Sequence, residues 1–128
     1  MLRDLALAAK AACSKEAQES LIPIIVSLKE LGTQAKKRGF LSLENQLASI
    51  NDDFLKIGLQ LIIDQTDPDV VSDILDSDIY YNESNGRELL KKIIIREGLL
   101  RIQAADTSRN IFLCTRIFLG KVENSAFP

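Results

Sequence analysis

The chain has 128 residues, a formal net charge of −2 and no histidine. That length corresponds to one domain, and with 46% hydrophobic residues the chain can bury a core of its own. Its longest apolar runs, 21–28 and 57–63, are closed by Lys29 and Asp64 and fall far short of the roughly 20 residues that span a bilayer, so no membrane crossing is expected.

In chain order, Leu2, Leu5, Leu7, Ala8, Ala11 and Ala12 recur at helical spacing and predict a first helix. Asp4 and Lys10 interrupt these apolar residues, which is unlike a signal peptide, so the protein is expected to stay in the cytosol. Ser14 with Glu16 is a helix-start signal, and Leu21, Ile24, Ile25, Leu28 and Leu31 continue a helix to about Arg38. A proline inside a helix costs about 3 kcal/mol, so either Pro23 lies in a first turn or the helix kinks there, and a start near Ser20 is the expected one. Gly39 marks a stop, and a short helix should span about Leu41 to Ile50. Asn51 or Asp52 caps the next helix, whose apolar face is Phe54, Leu55, Gly58, Leu59, Ile62 and Ile63.

Asp67-Pro68 is the strongest local signal, an acceptor for free amides followed by a residue that has none to satisfy. The helix it starts carries an apolar stripe of Val70, Val71, Ile74, Leu75 and Ile79, with its aspartates expected to face outward. Asn82 to Gly86 reads as a linker. A long helix from Arg87 to Ala105 follows, with Gly98 permitting a close helix crossing. A last helix runs from Ser108 to about Leu119, and the end from Val122 is expected to fray. The fold class predicted is all-α, about six helices in a single domain, 1–128.

Charge is unevenly spread. Residues 1–86 carry 8 Lys and Arg against 14 Asp and Glu, and residues 87–128 carry 8 against 4, so the two parts are electrostatic complements expected to pack together. Because the basic residues of the second part are interleaved with an apolar stripe, nucleic acid is not the expected partner.

Catalytic and cofactor chemistry find no support. No nucleophile sits beside a base, the glycines are too scattered for a phosphate loop, and no cofactor is expected. Cys13 and Cys114 lie near opposite ends without ligand spacing, which speaks against zinc and for buried reduced thiols. Asp52-Asp53 and Asp67-Asp69 read as helix caps and first-turn charges. Asp64, Asp67 and Asp69 lack the central Gly and distant Glu of a calcium loop. The remaining candidates are the basic run Lys36, Lys37, Arg38 and the nearby Glu44. Were the segment one helix, Lys36 and Glu44 would stand about 12 Å apart along its axis, beyond mutual pairing, and each would be free for an outside partner. The plainer alternative is a solvated helix end.

Several runs carry a family resemblance: KKRGFLSLENQL at 36–47, NDDFLKIGLQLIID at 51–64, DPDVV at 67–71, and IIIREGLLRIQAAD at 93–106 with Arg109 behind it. They resemble the cytoplasmic domain of the flagellar motor stator protein MotA, its cytoplasmic loop in 1–81 and its C-terminal tail in 87–128, joined here by 82–86. The family's tail usually has Pro before the Arg, where this chain has Asp106-Thr-Ser-Arg109. Its four membrane helices have no counterpart here, which implies either a membrane-free relative or a fragment with the last membrane hairpin replaced by the linker.

The resemblance implies a non-catalytic interaction module at the cytoplasmic face of the inner membrane, at the flagellar base. Its partner would be the rotor protein FliG, met by the charged residues Lys36 and Glu44 with Lys37 and Arg38 beside them. Stator subunits or self-association are the other partners it implies, and a soluble regulator or assembly factor that binds stator subunits is the alternative reading.

Overall fold

The computed structural model describes residues 5–128, so the expected contribution of Leu2 to the first helix lies outside the described residues. Eight α-helical segments follow one another: α1 (Leu5–Lys10), α2 (Lys15–Glu19), α3 (Ile22–Arg38), α4 (Glu44–Leu47), α5 (Asp53–Ile63), α6 (Pro68–Tyr81), α7 (Gly86–Gln103) and α8 (Ser108–Arg116). Phe40–Leu43 and Asn124–Ala126 are 3₁₀ turns, and no strand occurs among the described residues. The all-α class is as expected, with α1, α2 and α4 too short to count as more than single turns or little beyond.

Capping side chains set the starts. Ser14 Oγ accepts from the Ala17 amide at 3.1 Å, an Asp52 carboxylate oxygen from Leu55 at 2.9 Å, an Asp67 one from Asp69 at 2.9 Å, and Thr107 Oγ1 from Asn110 at 3.1 Å. Each occupies an amide that the first helical turn leaves open. The expected start near Ser20 resolves into two events: α2 ends at Glu19, and α3 begins at Ile22 with Pro23 in its first turn. Having no N–H, Pro23 cannot return a bond to Glu19, so the helix breaks there instead of running through.

α7 is the hub. The helices α3, α5, α6 and α8 all pack against it, and from Ile93 to Leu99 every residue is buried. Leu89, Ile94, Ile95 and Leu99 are fully enclosed, as are Leu28 of α3, Leu59 of α5 and Ile111 of α8, and both parts of the sequence contribute to this one hydrophobic cluster. Each such side chain contributes about 1.5–3 kcal/mol by leaving water. Close approach is enforced at Gly98, where a Cβ would stand 2.7 Å from Leu28 Cδ1, so glycine here lets α3 cross α7.

Ion pairs tie the acidic and basic parts together as the charge asymmetry suggested. Lys92 Nζ reaches Asp78 at 2.6 Å while lying over the Phe54 ring, and Arg96 Nε reaches Asp76 at 2.7 Å with a further bond to Ser72 Oγ at 3.0 Å. Two of the α6 aspartates expected to face outward, Asp76 and Asp78, therefore turn toward α7. Conversely Val70 and Ile74 remain 45% and 41% exposed: α6 packs chiefly on α5 and α7, so its buried stripe narrows to Val71, Leu75 and Ile79.

Three boundaries differ from expectation. The short helix of 41–50 is a 3₁₀ turn followed by the four residues of α4, and α8 stops at Arg116. The terminal segment expected to fray packs instead, with the Phe127 ring edge-on to Phe112 at 5.8 Å between centroids and Arg116 bonded to Asn124. Both cysteines are free and half-buried, less enclosed than expected.

Candidate functional site

The candidate residues lie at the end of α3 and on the segment that follows it. Lys36, Lys37 and Arg38 form its last turn, and all three are exposed. Cations are stabilised at this position by the negative end of the helix dipole, which lets three of them stand in a row without internal carboxylate partners. Gly39 then leaves the helix at φ +83°, a conformation that L side chains rarely take, while its N–H still donates to Ala35 O at 2.8 Å.

Beyond Gly39 the chain folds back on α3. Leu43 is fully buried and anchors the 3₁₀ turn, and Ser42 Oγ donates to Gly39 O at 2.7 Å. Gln34, two residues before the basic run, acts as a bracket: its Nε2 donates to Ser42 O at 2.9 Å, and its Oε1 accepts from Gln46 Nε2 at 3.2 Å. Glu44 thus sits exposed in the first turn of α4, on a segment tied to α3. The eight-residue spacing between Lys36 and Glu44 is not a helical one, because Gly39 interrupts it. The turn and the Gln34 bracket hold the segment that carries Glu44 against α3. Neither glutamine stood out in the sequence, where amides separated by a turn give no signal.

Among the described residues, none of Lys36, Lys37, Arg38 or Glu44 takes part in an ion pair. All five basic residues of α7 do.

Between α3, the loop before α5 and α7 lies a cleft of about 630 Å³, and its charges illustrate the paired condition. Lys91 Nζ holds Asp52 at 2.8 Å and Glu88 at 2.9 Å. Burial pushes the Asp52 carboxyl up, but the bonds from Lys91 and from the Leu55 amide outweigh it and leave the group below the usual carboxylate range. Burial likewise pushes Lys91 down, and its two carboxylate partners outweigh that and raise it. This cation is committed to the fold. No group of three or more His, Cys, Asp or Glu among the described residues could hold a metal ion, and no described helix is long and apolar enough to cross a membrane.

No protein-family model matches the sequence, and no solved structure matches the chain. Part of it is similar to curated proteins. It is 44% identical over 59 residues to Motility protein A of Borreliella burgdorferi, which covers 46% of this chain and 22% of that protein. Identity to Motility protein A of Helicobacter pylori is 47% over 55 residues, covering 43% of this chain and 21% of that protein. The Bacillus subtilis protein YtxD, itself uncharacterized, is 34% identical over 71 residues, 56% of this chain and 26% of its own length. Nearly half of the chain is therefore a MotA-like region, and the chain spans only about a quarter or less of these relatives.

Proposed function

We propose that this chain is a non-catalytic, single-domain interaction module of the flagellar motor, resembling the rotor-facing cytoplasmic domain of the stator subunit. It works at the cytoplasmic face of the inner membrane. The partner is the rotor protein FliG, and the contact surface is the corner made by Lys36, Lys37, Arg38 and Glu44. One observation carries the reading: within a MotA-like chain whose α7 cations are all internally paired, these charges stand exposed and unpaired at one turn. Exposed pairs contribute only about 0.2–1 kcal/mol each and exchange readily, which suits a contact that must form and release.

The test is binding of the purified chain to the C-terminal helical domain of the rotor protein. Lys36→Glu and Glu44→Lys are each expected to weaken binding, and wild-type binding is expected to fall as salt screens the attraction over roughly 8–10 Å. A compensating reversal on the rotor side should recover part of the loss. Undetectable wild-type binding at low salt, or binding indifferent to both reversals, removes the rotor assignment. Capture of stator subunits in a parallel pull-down would then favour a regulator or assembly factor.

A further inference from the structure

The end of α3 that carries the basic run also forms one wall of a groove of about 540 Å³, whose other side is Phe112 of α8 and Pro128. Val26, Lys29, Thr33 and Lys37 recur along one face of α3, Arg38 stands at the end, and Phe112 of α8 supplies the aromatic surface. The Phe112 ring is attended by Lys29 Nζ at 5.3 Å and by the Arg116 guanidinium at 5.5 Å from its centroid. Arg116 also lies 4.5 Å from the centroid of Phe127.

Lys29, Lys37, Arg38 and Arg116 form no ion pair with any described carboxylate, and Glu30 is the one acidic residue lining the groove. The aromatic rings hold two of these cations in place without neutralising them. The groove thus sets unpaired cations beside the apolar surface of Val26 and Phe112.

We infer that this groove takes an acidic amphipathic helix of a protein partner, with two carboxylates about two turns apart and one large apolar side chain between them. The spacing follows from α3. Lys29 and Lys37 are eight residues apart, about 12 Å along the axis, which matches carboxylates at i and i+8 on a helix lying alongside. Thr33, midway between them, is small and leaves room for an apolar side chain at i+4 to meet Phe112. A nucleic-acid strand fits less well, since it carries a charge on every nucleotide and would set some of them against Glu30, whereas two carboxylates eight residues apart can stand beside Lys29 and Lys37. The rotor-contact reading is needed here only for the partner's identity.

The test uses the full chain and a labelled, capped, alanine-rich peptide of about 15 residues, carrying Glu at i and i+8 and Phe at i+4, followed by fluorescence anisotropy. Saturable binding is expected, weakened about tenfold both by Lys37→Glu and by replacing the peptide's Phe with Ala. Thr33→Glu, which fills the groove with a carboxylate and leaves the basic run untouched, should weaken it about as much, with circular dichroism confirming that the variant is folded.

Absent binding at low salt overturns the inference. So does binding indifferent to the peptide's Phe, which would be long-range attraction alone, or tighter binding of an oligo-dT of similar charge. A rotor domain that binds while the peptide does not removes the groove inference and leaves the rotor contact standing. A peptide that binds while the rotor domain does not keeps the groove and removes the rotor assignment.

Discussion

The basic residues of α7 and those at the end of α3 are the same kinds of side chain in two opposite conditions. On α7, Arg96 is 3% exposed and is held by Asp76, Ser72 and Glu97, while Lys91 and Lys92 are each locked to a carboxylate from another segment. At the end of α3, Lys36, Lys37 and Arg38 are exposed with no ion pair. Topology makes the difference, since α7 is surrounded by four helices and must neutralise whatever charge it carries inward, whereas a helix end can leave its cations in water. Basic residues on the hub hold the fold together. Those at the corner are available to a partner.

The hardest way to break this comparison is to remove the most enclosed charge. Arg96→Ala leaves Asp76 without its cation and Glu97 with Arg101 alone, and is expected to destabilise by about 3–5 kcal/mol, read as a fall in the urea midpoint with an unchanged slope. A loss under about 1 kcal/mol would mean that the hub cations are no more structural than those at the corner. A smaller effect is expected at the crossing beneath them. Gly98→Ala presses a methyl group onto Leu28 and should cost about 1–3 kcal/mol through overpacking. Adding Leu28→Ala should cost less than the sum of the two single changes, because the added methyl then occupies vacated space.

Much of this architecture was legible. Asp52 and Asp67 announced their helices because a cap is local chemistry, and Gly98 announced a crossing because glycine is costly inside a helix unless something needs the space. The uneven charge distribution anticipated that α7 would meet carboxylates of the first part, although not that Asp76 and Asp78 would be the ones drawn in. Periodicity could not show that α6 lies at an edge and leaves Val70 and Ile74 exposed, since a stripe reports what could be buried and only packing decides what is. At the corner, the residue types of Lys36, Lys37, Arg38 and Glu44 were visible, but the fold-back at Gly39, the Gln34 bracket and the approach of Phe112 depend on contacts between segments far apart in sequence.

Acid and base sharpen the comparison further. Asp52 titrates below its usual range, so its contribution to stability is complete above the unfolded carboxylate value of about 4 and is lost as pH falls through the lower folded value. Lys91 titrates above its usual range, so its contribution is complete below the unfolded lysine value of about 10.4 and is lost as pH rises through the higher folded value. The pair should therefore stabilise across the whole interval between. In Lys91→Met, urea melts at stepped pH are expected to show lower stability throughout that interval and a weaker fall at each end. A variant whose profile parallels the wild type would mean that the pair is not formed in solution.

The smallest effects belong to the corner itself. Lys36→Glu and Glu44→Lys each set a charge against a helix dipole, at the end of α3 and the start of α4, and each is expected to cost no more than about 0.5 kcal/mol, a shift of about 2 °C in Tm. The double variant is the more telling measurement. If the two residues stand apart and unpaired, their costs add within about 0.3–0.5 kcal/mol. If instead they pair in solution across the turn that Gln34 holds, reversing both restores an attraction that each single change destroys, and the double variant regains most of the wild-type Tm. Raising the salt separates the two cases again, because a pair across the turn weakens with screening while isolated charges have no mutual attraction to lose. Additive costs would leave both charges free for an outside surface, and the contrast with the locked cations of α7 would hold at the level of single residues.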